Sequence, residues 1–313
     1  MLRTIGQRLL ALIPLLFLVS LVVFLLVTII PGDPAVTLAG ENATEARIAE
    51  IRDNLGLNDS LVTQYTNWMG NLFQGDLGQS LFSSRNVTDV ITERAPATIS
   101  LTLGAIVFAV LIGVPAGLIA GSRPGGAVDR ALMVFATSGV ALPSYVLAVL
   151  LILVFAQWNP WFPATPVTPL SDGFGPWLRS ITLPSIALGT NGAALISRQL
   201  RSSLIDVYQQ DYIRTARAKG MRPRIVLMKH AVKNAAIPTV TVLGLQIAAL
   251  LGGTVVIETL FGISGLGQLA YLSVTQKDIP VIQGIVMVMA LAVVVVNLLV
   301  DLLYLYLNPR VRT

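Results

Sequence analysis

Long uninterrupted runs of apolar residues dominate the pattern of this sequence. A helix that crosses a bilayer core of about 30 Å needs roughly 20 apolar residues, because lipid offers no partner to unpaired backbone groups. Five runs meet this requirement, at residues 9–30, 98–120, 131–156, 235–257 and 279–306. A sixth run, at about 181–200, is weaker because proline, glycine and polar residues interrupt it. The pattern alone predicts an all-α chain with five or six transmembrane helices.

The distribution of charge along the chain decides whether it has five or six transmembrane spans. Lys and Arg residues beside transmembrane helices stay on the cytoplasmic side. With six spans and both termini inside, fifteen of the 21 Lys and Arg residues lie inside. Omitting the sixth run would place nine basic residues, between Arg198 and Lys233, on the outer face. We therefore predict six spans in an N-in/C-in orientation, and the basic residues beside the spans argue against nucleic-acid binding.

Composition supports a membrane protein and narrows its chemistry. Of 313 residues, 54% are hydrophobic and only 12% charged, against about 25% charged in soluble domains. There is no cysteine, which excludes disulfides, thiolate metal sites and thiol nucleophiles. The sequence has one histidine, His230, and contains neither H-E-x-x-H nor G-x-S-x-G. The motifs that supply zinc ligands or a serine nucleophile in enzymes are therefore absent from it. We predict no catalytic residue, no metal site, and a surface position for His230.

The first soluble segment, residues 31–96, is predicted to lie outside. A turn at Pro31-Gly32-Asp33-Pro34 ends the first span, and two amphipathic helices follow, separated by Gly56. Asp59 or Ser60 is the predicted N-cap of the second helix. This helix either lies flat at the lipid headgroups or belongs to a small cap that meets an external partner, and the length of the segment favours the cap. We divide the chain into residues 1–96 and a core of residues 97–313.

The second soluble segment, residues 199–234, is predicted to lie inside and is called the basic segment below. It is predicted to form two short helices, the first capped by Asp206 and ended by Gly220, and the second begun by Pro223. Small residues at the tip, including Ala216 and Gly220, would allow close approach of a partner protein. The alternative is a basic loop attracted to anionic lipid.

At these residues the sequence resembles a known family. Residues 211–220 (DYIRTARAKG), followed by HAVKN at 230–234, resemble the EAA loop of bacterial ABC importer permeases, and more narrowly of B-type permeases of the dipeptide, oligopeptide and nickel branch. Further agreement lies at 31–34 (PGDP), 55–57 (LGL), 75–80 (GDLGQS), 94–98 (RAPAT), 265–267 (GLG) and 277–280 (KDIP). The sequence departs from the general family pattern at three positions. Arg214 stands where the family usually has a glutamate, Lys233 where it usually has a proline, and Ser264 where a proline often precedes the GLG motif.

The resemblance implies a type I ABC importer permease fold in a prokaryotic cytoplasmic membrane. It implies peptide import by alternating access, together with a homologous six-span permease in a heterodimer, two cytoplasmic ATPases and an external substrate-binding protein. The ATPase contact would lie at Arg214, Thr215, Ala216, Arg217, Ala218, Lys219, Gly220 and Met221. The chain has no G-x-x-x-x-G-K-[ST], so it cannot hold a triphosphate itself. No cofactor is expected on this chain, and ATP and Mg²⁺ would bind to the partners.

Polar residues within the predicted spans are candidates for lining a translocation path. They are Asn191, Gln246, Glu258, Asn297 and Asp301. Glu258 could instead sit in water at a span end, and Asn297 with Asp301 could pack against another span. A secondary transporter or channel is the alternative function, but it would favour coupling acids at the midplane and inverted repeats, and neither is evident.

Overall fold

A computed structural model describes residues 2–29, 33–40, 43–164 and 167–307, with the side chains of 2–9, 11, 27, 29, 301 and 303–307 excepted. These ranges are 82% helical and contain no strand, which confirms the all-α class. The helices are α1 (Leu2–Ile29), α2 (Pro34–Ala39), α3 (Glu45–Asn54), α4 (Leu61–Phe73), α5 (Val87–Ser122), α6 (Ala127–Ala141), α7 (Ser144–Ile152), α8 (Phe174–Tyr208), α9 (Asp211–Ala218), α10 (Pro223–Ile225), α11 (Val232–Leu260), α12 (Leu266–Gln276) and α13 (Ile279–Leu307).

Several of these helices are long and apolar enough to cross a membrane. Within the described residues they are Val87–Ser122, Pro223–Leu260 and Ile279–Val300. A fourth span is present if the bent pair of helices Ala127–Ala141 and Ser144–Trp158 counts as one. That pair bends by 100° at Pro143, so the predicted third span at 131–156 is not one continuous helix. Proline removes a backbone donor and clashes with the preceding turn, which explains the break. Helix α1 carries a shorter apolar stretch at Leu12–Leu26, and six spans stay a prediction.

The chain forms two compact units. The first comprises Met1–Pro96 and Ser264–Val294, and the second comprises Ala97–Ile263 and Val295–Thr313. Nothing in the sequence pattern indicates that residues 264–294 belong with the N-terminal part. The contacts that join them are apolar and come from α5, α12 and α13: Val87, Val90, Ile91, Leu266, Leu269, Val281 and Ile285 are all buried together.

Short helices of the first unit begin at well-formed caps. Asp33 caps α2 and pairs with Arg52 of α3, and this guanidinium holds the pKa of the Asp33 carboxyl below its usual range. Ser60, one of the two predicted candidates, caps α4 and accepts a hydrogen bond from the Thr63 amide at 3.2 Å. The predicted turn residues Pro31 and Gly32 lie outside the described residues.

Helix α4 packs on α1 through aromatic side chains. The Tyr65 hydroxyl shares a hydrogen bond of 2.8 Å with the buried Ser20, and its ring lies 5.3 Å from that of Phe24. Trp68 lies 6.2 Å from the same Phe24 ring. The aromatic side chains of α4 therefore pack against α1 within the first unit.

Helix α8 is the centre of the second unit. It packs against α6, α7 and α11, and its 35 residues span about 50 Å at 1.5 Å per residue. Because protein rather than lipid surrounds most of its middle, small and polar residues such as Gly192 and Ser197 are buried there. This burial explains why the run at 181–200 appears weak by hydropathy.

Glycines of α5 bring α5 and α8 into close contact. Gly113, Gly117 and Gly121 are spaced four residues apart, the small-residue pattern of close helix pairs. A Cβ atom at Gly113 would lie 2.6 Å from the Ala193 carbonyl oxygen, and one at Gly117 would lie 2.8 Å from that of Ser197. Only glycine fits at either position without moving a helix backbone.

Candidate functional site

The basic segment begins with an interruption between α8 and α9. Helix α8 continues to Tyr208, and Gln210 is the N-cap of α9. The prediction that Asp206 caps the first helix is wrong, because Asp206 lies within the last turn of α8. The reason is tertiary packing. Because Leu200 and Leu204 are buried in a core cluster, the α-helix continues through this region and does not end before Asp206.

Helix α9 ends in a glycine turn, as predicted. Gly220 has a left-handed backbone with φ +73°. Its amide donates to the Arg217 carbonyl at 2.9 Å, and the Met221 amide donates to that of Ala216 at 3.3 Å. This pair of bonds is the Schellman arrangement, which satisfies the last carbonyls of a helix and favours glycine.

The two faces of α9 differ in burial. Ile213 and Ala216 are buried, packed in a cluster with Leu200, Leu204 and Val226. The other face is exposed and comprises Arg214, Thr215, Arg217, Ala218, Lys219 and Gly220, with Met221 half-buried. Ala216 therefore anchors the helix from beneath, and its exposed neighbours form the accessible surface.

The second helix of the basic segment is not a separate short helix. It begins at Pro223, as predicted, but continues through a π-helical turn at Val226–Ala231 into α11. Val226, Ala231 and Ala235 form one buried face across this junction, which explains the continuity. His230 lies in the π turn and is half-buried, with its Nε2 atom unpartnered among the described residues, so it is less exposed than a surface position implies.

Side-chain contacts tie α9 to the two long helices beside it. The Asn234 amide of α11 donates to the Tyr212 hydroxyl at 3.0 Å. The Arg217 guanidinium lies 5.0 Å from the centre of the Tyr208 ring at the end of α8, within cation–π range. Helix α9 is therefore in direct side-chain contact with both α8 and α11.

An ion pair that the sequence pattern did not reveal joins α6 to α8. Arg201 donates from Nε and Nη2 to the buried Asp129 carboxylate at 2.5 and 2.8 Å. The Gly125 amide donates to the same carboxylate at 2.7 Å. Arg201 and Asp129 are 72 residues apart, and the only sequence signal was an acidic residue in a basic loop.

Replacing Asp129 with alanine is expected to lower the free energy of unfolding by about 1–3 kcal/mol, since charge-assisted hydrogen bonds are lost and Arg201 stays partly exposed. The exposed Asp206, changed to alanine on the same helix as Arg201, is the matched control and is expected to have little effect. Thermal unfolding in detergent measures both. Equal midpoints for the two variants would contradict a stabilising ion pair.

The predicted path residues differ in environment. Glu258 is fully buried and accepts a hydrogen bond from Thr98 Oγ1 at 2.7 Å, so the alternative that it sits in water is wrong. Asn191 and Gln246 are half-buried and Asn297 is exposed. The side chain of Asp301 lies outside the described residues. Within the described residues, no hydrogen bond joins Asn191, Gln246 and Asn297.

Family comparisons cover nearly the whole chain. Residues 113–313 match the family model described as binding-protein-dependent transport system inner membrane component. Residues 1–102 match the model for the N-terminal part of such membrane components.

Individual relatives agree with these matches. The chain is 43% identical over 312 residues to the glutathione transport system permease protein GsiC of Escherichia coli K12, covering 100% of this chain and 99% of that protein. It is 38% identical over 306 residues to the probable peptide ABC transporter permease protein y4tP of Sinorhizobium fredii, covering 98% of each.

Solved structures show the same fold at lower sequence identity. An inward-facing MetNI methionine ABC transporter matches with a TM-score of 0.56 at 17% identity, over 71% of this chain and 97% of that one. An amino acid ABC transporter crystallised with histidines matches with a TM-score of 0.55 at 17% identity, over 69% of this chain and 94% of that one.

Proposed function

This chain belongs to the family of binding-protein-dependent transport system inner membrane components, and from that premise we propose that it imports peptides. It is a non-catalytic permease subunit of an ABC importer and a multi-pass protein of the inner membrane. ATPase and substrate-binding partners accompany such a permease. Its similarity to permeases named for peptide and for glutathione transport supports a short peptide as the substrate.

The proposed assembly pairs this chain with a second, homologous six-span permease. Six spans with both termini inside agree with the excess of basic residues in the inner segments. The length of α8 supports the fourth span. Two ATPases would bind ATP and Mg²⁺ on the cytoplasmic side, and a substrate-binding protein would deliver the peptide from outside.

The exposed face of α9 is proposed as the surface that the ATPase contacts, at Arg214, Thr215, Arg217, Ala218, Lys219 and Gly220, with Ala216 and Met221 supporting it. The observation that carries this proposal is the combination of an exposed tip and a buried base in one short helix. An exposed tip permits docking, and a buried base converts movement of the partner into movement of the core.

Motion would then reach the path through the long helices. ATP binding closes the ATPase pair, α9 moves with it, and the contacts of Tyr212 and Arg217 carry the movement to α11 and α8. Movement of α8 and α11 in one direction would open the path to the outside, and movement in the reverse direction would open it to the inside. Asn191, Gln246, Glu258, Asn297 and Asp301 are proposed to line it.

Proteoliposomes with the complete transporter and its binding protein test the energy source. Uptake of a labelled tripeptide is expected to persist after an uncoupler and to stop when ATP is depleted, because the energy comes from the ATPase chains. A transporter lacking the ATPases is the control. Uptake that stops with the uncoupler and persists without ATP would overturn the proposal and favour a secondary transporter.

A further inference from the structure

The first unit contains a cleft of about 590 Å³ that the coupling mechanism does not use. It lies between the end of α1, helix α4, the loop at residues 76–84 and the start of α13. Phe24 and Trp68 provide an aromatic wall, with ring centres 6.2 Å apart. Cavities of 300–1,000 Å³ with a few converging polar groups are typical of small-molecule sites.

One largely buried glutamine of this cleft has no hydrogen-bond partner among the described residues. Gln283 of α13 is only 7% exposed and lines the cleft. Its side chain makes no hydrogen bond within the part of the chain that the structure describes. Buried polar side chains are nearly always hydrogen-bonded, so this amide, with two donor hydrogens and an acceptor oxygen, is available to a bound group.

Several polar side chains share this lining with apolar residues such as Leu57 and Ile279. Asn67 and Asn71 of α4 and Gln79 of the loop add further side-chain amides. Asp59 and Asp76 add two carboxylates, and none of the described lining residues is Lys or Arg. The cleft is therefore rich in groups that both donate and accept hydrogen bonds, and it carries negative charge.

The cleft is also held in shape by its surroundings. The buried Asp278 carboxylate accepts from Ser80 Oγ at 2.6 Å and from the Leu81 amide at 3.2 Å. These bonds fix the loop to the start of α13. Preorganised walls reduce the entropy cost of binding.

We propose that this cleft binds a short peptide by its main chain, with the terminal ammonium group toward Asp59 and Asp76. Side-chain amides pair with peptide groups without regard to the peptide's sequence, because both donate and accept. The carboxylates favour a cationic end. The inference rests on the proposed function and adds a holding site that is separate from the candidate path residues.

Equilibrium dialysis of labelled trialanine against the complete transporter in nanodiscs tests this site, without ATP and without the binding protein. Saturable binding is expected, weakened at least tenfold by Gln283→Leu and also weakened when the peptide is N-acetylated. Gln276→Leu, an exposed glutamine outside the cleft, is the matched control and is expected to bind like the unaltered protein. Asn67→Leu, at an exposed position of the same wall, covers the case in which Gln283→Leu does not fold.

The outcomes separate this site from the proposed function. If the unaltered transporter imports trialanine with ATP but both cleft variants bind it normally, the cleft proposal alone is overturned. If trialanine does not bind while the cleft variants weaken docking of the external binding protein, the cleft is a protein-docking surface and the proposal is again overturned. If no ATP-dependent import occurs, the proposed function fails.

Discussion

Replacing Gly220 with leucine is expected to abolish co-purification of the ATPases and to reduce peptide uptake at least tenfold. At φ +73° an L-residue costs roughly 1–2 kcal/mol, which loosens the end of α9. A Cβ atom at this exposed position would meet no atom of the described residues within 4 Å, so a larger side chain there projects to where the ATPase would approach. Membrane insertion should be normal.

Gly75→Leu is the control for backbone strain. Gly75 has φ +79°, also has open space around it, and lies in the first unit, far along the chain from α9. It should retain ATPase binding and uptake. Gly220→Asn should recover part of the activity, because asparagine tolerates the left-handed region. Normal ATPase co-purification with Gly220→Leu would rule out the proposed coupling role.

Replacing Gly113 with leucine is expected to prevent α5 and α8 from packing and to remove most of the folded protein. A Cβ atom there would lie 2.6 Å from the Ala193 carbonyl oxygen and 3.0 Å from the Ile196 Cβ. The first contact is with backbone, so no side-chain rotation relieves it. Ordinary overpacking costs about 1–3 kcal/mol, and a leucine that clashes with backbone is expected to exceed this range.

Yield of monodisperse protein and the thermal unfolding midpoint measure this effect. Gly252→Leu in α11 is the matched control, since a Cβ there meets no atom of the described residues within 4 Å and the helix is also a candidate span. The control should unfold near the midpoint of the unaltered protein. If Gly113→Leu and Gly252→Leu gave equal yields and midpoints, the close contact of α5 with α8 would not be essential to the fold.

Local features were predicted well where neighbouring residues decide them. Ser60 as a cap, Gly220 at a helix end and Pro223 at a helix start all follow from backbone geometry that a few residues set. Predictions failed where contacts between residues far apart in the sequence decide where a helix begins or ends. Asp206 lost its capping role because the buried face of α8 extends to Tyr208. The second helix of the basic segment merged with α11 because one buried face spans both.

The candidate site shows the same division. The sequence located the segment at residues 211–221, but not which of its side chains are accessible, because that depends on the cluster beneath Ile213 and Ala216. It also missed the Asp129–Arg201 pair and Gln283, which has no hydrogen-bond partner among the described residues, because the significance of each comes from residues far away in the chain.

The sequence by itself determined the class of protein, its helical character and its family, because hydrophobic runs, turn residues and motifs act over short stretches of chain. Only the tertiary structure decided the grouping of residues 264–294 with the N-terminal unit, the burial of Glu258 and the amide-lined cleft. Burial and hydrogen-bond partners depend on packing between segments that are distant in sequence, and no local pattern encodes which segments will meet.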